Sequence, residues 1–185
     1  AGTTVWTPGP NNTLLAYSGA RFGLTQTWPH VLGITFGFPM MVFLVGFFLG
    51  ELFQRSDALQ SGLHWGGAAV LLWIAWKIAS SGSISGTSGK PRPFTFLEAV
   101  AFQWVNPKGW TMAIAVPAQF MNPDRPLITA SIVAGAYVLM GFTSATGWAV
   151  LGTQLTKWLT TDNRQKWFNF VMGLLIAGCV VLLWN

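Results

Sequence analysis

Cysteine occurs once in this 185-residue chain, at Cys179, so no internal disulfide, Cys-x-x-Cys redox pair or thiolate metal site can form within it. Acidic residues are nearly as scarce, with five Asp and Glu beside two histidines, His30 and His64. That leaves no set of side chains for a metal cluster. No P-loop, Gly-x-Ser-x-Gly, His-Glu-x-x-His or paired-carboxylate pattern occurs, so nothing points to an enzyme or to a bound cofactor. Charge of either sign is sparse: 8% of residues are charged, against about 25% in an average soluble domain. A water-soluble globule is excluded. The net charge of +5 does not mark a nucleic-acid partner, because the ten basic residues are scattered rather than gathered on one wetted face.

What the chain has instead is apolar sequence, 52% of it. Residues 22–50, 58–76, 126–156 and 167–185 carry no charge at all, and a membrane span needs about 20 such residues. Apolar runs and breakers together predict five spans, at roughly 30–53, 58–79, 95–121, 127–152 and 166–184. A sixth segment, 1–20, is short. Its prolines leave only Thr13 to Ala20 as an apolar-tolerant run, so it either continues an upstream apolar stretch or enters the membrane partway.

Residues 81–93 are rich in Gly and Ser and end in two prolines, a flexible linker. It divides the chain into 1–80 and 95–185, with 81–94 between them, and each half holds three hydrophobic segments. Each half also opens on a proline-broken segment, Pro8-Gly9-Pro10-Asn11 and Asn106-Pro107-Lys108-Gly109, and closes on a Gly/Trp-rich span, around Gly67 and Gly173. Three spans per copy is an odd number, so a duplication would set the second copy inverted against the first. The rival is that any Gly-rich bundle shows such echoes. Arg21, Lys77, Lys90, Arg92, Lys157, Arg164 and Lys166 fall in loops of one side and only Arg55 and Arg125 on the other, which predicts a cytoplasmic linker and external termini. Trp28, Trp104, Trp158, Trp167 and Trp184 stand near predicted span ends, as interfacial anchors.

The broken helices are the places for chemistry. Proline removes a backbone donor and displaces a carbonyl, so Pro8, Pro10 and Pro107 free polar backbone where water is scarce. Such backbone persists where protein buries it or where it lines a polar cavity. Asn11, Asn12 and Asn106 can cap the freed groups or face a polar ligand, and the half-helix after Pro107 aims its positive end at a carboxylate. Lys108 is either a functional charge at depth or a side chain snorkelling to the cytoplasmic headgroups. Gln103 precedes the break, and Glu98 is either a coupling carboxylate or an interfacial residue. Gly33, Gly37, Gly46, Gly50, Gly62 and Gly66 form small-residue ridges for helix packing or dimerisation. Pro39 and Pro117 are expected mid-span kinks, His30 and His64 polar groups near span ends, and Cys179 a core residue.

Taken in order, Thr7-Pro8-Gly9-Pro10-Asn11-Asn12, Ser18-Gly19-Ala20-Arg21-Phe22-Gly23, His30-Val31-Leu32-Gly33-Ile34 with Gly37, the stretch Gly67 to Lys77, and Phe102-Gln103-Trp104-Val105-Asn106-Pro107-Lys108 resemble the lysine-exporter (LysE/RhtB) family of amino-acid exporters. The similarity covers essentially the whole chain with the expected spacing. It implies a six-helix carrier of the bacterial inner membrane that exports amino acids or related metabolites, coupled to the proton gradient and dimeric. Two positions depart from the family pattern: only seven residues precede Pro8, and Val70 stands where tyrosine is common.

The expectation is an all-α polytopic membrane protein of two inverted three-helix repeats, exporting a small zwitterionic solute. Pro8, Gly9, Pro10, Asn11, Asn12, Gln103, Asn106, Pro107 and Lys108 would form the site, with no metal and no cofactor. The alternative is a non-transporting subunit that packs through its Gly ridges against a larger membrane complex.

Overall fold

The computed structural model describes residues 2–49, 55–81, 92–122 and 124–183, and every regular element among them is helical. Seven α-helices follow in order: α1 (Gly2–Trp6), α2 (Pro10–Leu44, continued by a π-helical turn, Val45–Leu49), α3 (Asp57–Ala79), α4 (Phe96–Gln103), α5 (Pro107–Phe120), α6 (Pro126–Leu155) and α7 (Asp162–Gly178, continued by a 3-10 turn, Cys179–Leu183). The stretches Pro10–Phe47 and Pro126–Leu155 are each apolar and long enough to cross a membrane. Leu72, Trp73, Leu97, Ile132, Leu139 and Leu174 are turned outward, as lipid-bathed side chains are.

α2 is not one rod. Gly23 has φ 76° and ψ 168°, backbone that glycine alone adopts readily, and there the chain doubles back. The Ser18 and Thr27 hydroxyls lie 3.0 Å apart, although nine residues of straight helix would separate them by roughly 13 Å. Thr27 Oγ1 donates to the Gly23 carbonyl and holds the turn. Residues 10–22 and 24–49 are therefore two antiparallel legs. The first runs parallel to α6, with Ala16 on Gly152 and Ala20 on Thr156; the second runs against it, with Trp28 stacked on Phe142 and Phe38 edge-on to Tyr137. The second leg starts at residue 24 rather than 30 because Pro29 is carried inside the helix. The carbonyl it leaves without a donor belongs to Thr25, which is exposed to solvent.

Close helix contacts follow the glycines, though not all those expected. A Cβ at Gly33, Gly37 or Gly46 would press on Phe96 and Ala99, Val100, or Pro117, so these three seat the second leg against α4 and α5. Gly50 lies outside the described residues, as do positions 82–91 of the linker. Gly62 and Gly66 do not pack within the chain, since nothing stands within 4 Å of a Cβ at either. They face outward on α3, whose opposite side, through Gly67, Ala68, Leu71, Ala75 and Ile78, is buried. There Ala75 and Ala79 meet Gly173 of α7. The tightest approach went unread in the sequence: Ala16 and Gly19 of the first leg lie directly against Gly152 and Ala149 of α6.

Arg21, Lys77, Arg92, Lys157, Arg164 and Lys166 come to one end of this bundle, where Asn169 of α7 donates to the Ser81 carbonyl at the end of α3 and Arg21 shares a small pocket with Leu159 and Gln165. Toward this basic end the core is built by Leu14, Tyr17, Ile74, Phe102 and Ile176, and toward the other by Phe38, Val42, Trp110, Val116 and Tyr137. α7 begins at Asp162, four residues before the expected 166, because the Thr161 hydroxyl accepts from the Arg164 amide and caps it.

Candidate functional site

Two helix breaks meet between these apolar clusters. In the first, residues 7–9 separate α1 from α2, and Pro10 is the first residue of the helix that follows. In the second, residues 104–106 separate α4 from α5, and Pro107 stands in the same place. Proline suits that position because the donor it lacks would have no partner there. Pro10 and Pro107 thus hold the same place in the two breaks.

The carbonyls freed at the end of α1 are all taken up. Val5 accepts from Asn12 Nδ2 at 2.8 Å and Ser144 Oγ at 2.9 Å, Trp6 from Trp148 Nε1 at 3.2 Å, and Thr7 from Asn12 Nδ2 at 2.9 Å and Lys108 Nζ at 3.0 Å. Left unpaired away from water, a carbonyl costs on the order of 1 to 3 kcal/mol. At the second break the Trp104 carbonyl accepts from Trp110 Nε1 at 2.9 Å. Trp104 therefore belongs to the break rather than to a span end.

The amides are treated differently. Gly9 and Asn106 hold the caps of α2 and α5 without a side-chain hydrogen bond, so both helices begin on uncapped N–H groups. A cavity of about 50 Å³ opens there, lined by Gly9, Asn11, Asn12, Asn106, Lys108, Gly109 and Ser144 among polar and small residues and by Val5, Ile34, Phe38, Met112 and Ala145 on its apolar side. That is room for a few waters and far below the 300 Å³ or more of usual ligand pockets, so the walls must part to admit a solute. Asn106 is 2% exposed, and its Oδ1 has no hydrogen-bond partner. It is a buried acceptor with nothing to accept, on a residue that lines the cavity.

Lys108 is half-buried and does not snorkel toward the basic end. Its ammonium crosses to the first break, donating to Thr7 Oγ1 at 2.7 Å as well as to the Thr7 carbonyl. Its stem passes Gly9, where a Cβ would stand 3.0 Å from Lys108 Cδ. Gln103 is fully buried and joins the same two breaks: Asn11 Nδ2 donates to Gln103 Oε1 at 2.7 Å and Gln103 Nε2 returns a longer bond of 3.3 Å, while also donating to the Ala99 carbonyl. Pro8 is exposed beside them. The structure thus brings the nine residues expected at the site to the facing breaks. Thr7, Ser144, Phe38 and Met112 were not foreseen, and only their position in the fold could reveal them.

Glu98 is elsewhere. It stands in the first turn of α4, ahead of the apolar span at residues 99–120, in a capping box with Thr95. Arg92 grips both carboxylate oxygens, at 2.6 and 2.7 Å. That ion pair, helped by the Thr95 amide, holds the Glu98 carboxyl down to about 2. The pair is present at any pH above the ordinary carboxylate range and is lost only as pH falls through about 2. His30, expected near a span end, is buried against the Phe94 ring at 5.0 Å with neither ring nitrogen bonded. Among the described residues no group of His, Cys, Asp and Glu could hold a metal ion.

Comparison with known proteins gives the family. The model of the LysE type translocator family matches residues 3–184. Proteins named cysteine/O-acetylserine efflux protein from Escherichia coli (strain K12), Shigella sonnei (strain Ss046) and Shigella flexneri are each 30% identical over 181 residues, 96% of this chain and 90% of theirs. No solved structure matches the chain. With facing helix breaks inside an apolar bundle and family similarity running nearly end to end, this chain belongs to the LysE type translocators, membrane transporters and not enzymes.

Proposed function

We propose that the protein exports small neutral amino acids, of the kind named for its relatives, by alternating access around the cavity between the two breaks. The observation that carries this is the cavity's polar make-up: two uncapped helix N-termini and the Lys108 ammonium for a carboxylate, and the orphaned Asn106 Oδ1 for an ammonium, hydroxyl or thiol donor. No carboxylate lines it, so a lysine or arginine side chain would meet only Lys108, a like charge in a medium of low dielectric.

Two inverted three-helix repeats are the architecture that fits best. The first leg packs parallel on α6 and the leg of α4 and α5 packs parallel on the second leg, while α3 pairs with α7. Exchanging the halves maps this pairing onto itself, and because the two legs of α2 are antiparallel, the copies run in opposite directions. The basic end is cytoplasmic in this proposal, by the positive-inside bias, in a bacterial inner membrane. The chain has no nucleotide-binding loop, so an ion gradient, here that of protons, would drive export. A homodimer would form on the outward face of α3, where Gly62 and Gly66 leave room for a second helix.

Proteoliposomes loaded with labelled cysteine, O-acetylserine, serine or lysine test the proposal. Export of the neutral solutes, faster under an imposed pH gradient, and retention of lysine are expected. Export of lysine at a similar rate would remove the charge argument.

A further inference from the structure

The two contacts that join the breaks are counterparts. In each copy the residue just after the helix-starting proline, Asn11 or Lys108, reaches across to the residue three or four before the other proline, Thr7 or Gln103: Asn11 bonds Gln103, and Lys108 bonds Thr7. Because the broken legs run antiparallel, these crossings lie at different depths, Asn11 with Gln103 nearer the basic end and Lys108 with Thr7 nearer the other, and Asn11 and Lys108 both line the cavity. We propose that they are the two latches of the transport cycle, with Gln103 closing the inner one and Thr7 the outer one. Opening the cavity toward the basic end requires parting the amide pair, and opening it the other way requires drawing Lys108 off Thr7.

The latches differ in chemistry, and the difference gives direction. The inner pair is two neutral amides, each serving the other as donor and acceptor. The outer latch is an ammonium held by a hydroxyl and a carbonyl, both neutral acceptors. A carboxylate is a stronger acceptor for that ammonium than either, because both partners are then charged. A solute in the cavity therefore competes with Thr7 for Lys108 and loosens the outer latch more than the inner one, where a charge would meet only neutral amides. An empty carrier keeps its outer side shut, and a loaded one is released outward. Thr7 is in this sense a positioning residue: it acts through Lys108 rather than on the solute.

This mechanism rests on the transport function proposed above, and the experiment separates the two. A Ser144→Cys substitution at the cavity wall, in a Cys179→Ala background, reports access by an impermeant maleimide added to either side of oriented vesicles. Thr7→Val, which takes one of the two Lys108 bonds, should raise labelling from the side of α1 only, by roughly fivefold, and Gln103→Met, which takes both bonds to Asn11, should raise it from the basic side only and by more. Thr7→Ser should restore the parent pattern. Asn11→Ala reads the inner latch again if Gln103→Met does not fold, with thermal unfolding as the control. Thr7→Val should also tighten the binding of serine, used as the probe, by a similar factor, because Lys108 is freed for the carboxylate. Unchanged labelling, or a rise from the same side in both variants, overturns the latches. Serine binding to Thr7→Val that is no tighter than to the parent overturns the competition for Lys108. If no variant, nor the parent, moves any amino acid, it is the transport function that fails, while the labelling still reads the latches.

Discussion

At the scale of single residues the site turns on one charge and one orphaned oxygen. Lys108→Gln keeps a donor near Thr7 but loses the ammonium, so solute affinity should fall tenfold to a hundredfold, a loss on the order of 1.5 to 3 kcal/mol, with thermal stability unchanged. Binding assays and thermal melts on the same preparation check this, and equal affinity in parent and variant would contradict it. Glu98 makes the opposite prediction. Its carboxyl is held near 2 by Arg92 and stays ionised throughout the interval of about pH 5 to 8 in which coupling groups titrate. Glu98→Gln should leave the pH dependence of efflux unchanged in that interval, and a shifted profile would return Glu98 to the coupling path. Motif position in the sequence pointed to Lys108, Asn11 and Gln103, but spacing along a chain carries no information about partners some hundred residues away. The pairings of Lys108 with Thr7 and of Asn11 with Gln103 exist only once two distant legs cross.

At the scale of elements, glycine decides which helices touch. Gly152→Ala would place a methyl on the Ala16 backbone, and a helix cannot yield there without moving as a whole, so overpacking should cost about 1 to 3 kcal/mol. Gly62→Ala meets open space and should change stability by less than about 0.5 kcal/mol. Detergent melts of the two variants side by side test this, and equal melting would mean that the first leg and α6 are not in close contact. Pro107→Ala adds an N–H at the start of α5 that the break as it stands leaves without a partner, so stability should change little, while the freedom it gives α4 and α5 to join as one helix should abolish efflux. The spans were legible because charge is absent from them, and the breaks because proline marks them. The Gly23 reversal was legible only in part: Arg21 and the polar run that follows indicated a loop near it, yet one glycine makes the turn and helix resumes at once, so the boundary fell several residues late. Gly62 and Gly66 misled because a small-residue ridge has the same spacing whether it faces another helix or lipid.

At the scale of the whole molecule, the pairing of legs is what sequence could announce but not demonstrate. Repeated Pro and Asn elements in two halves predicted an internal symmetry, while their match, Pro10 to Pro107, became clear only from the helix starts. Topology follows from the basic residues, and cysteines placed at Thr160 and Asn122 in a Cys179→Ala background should report it in intact cells: the first protected from an impermeant maleimide, the second labelled. Labelling of Thr160→Cys alone would invert the molecule. The most direct test of the central claim, that facing breaks form a carboxylate-binding transport site, is efflux from proteoliposomes measured for the parent, Pro107→Ala and Lys108→Gln with serine and lysine as solutes. Serine efflux in the parent, its loss in both variants with folding intact, and no lysine efflux in the parent are expected; serine efflux at the parental rate from both variants would contradict the claim.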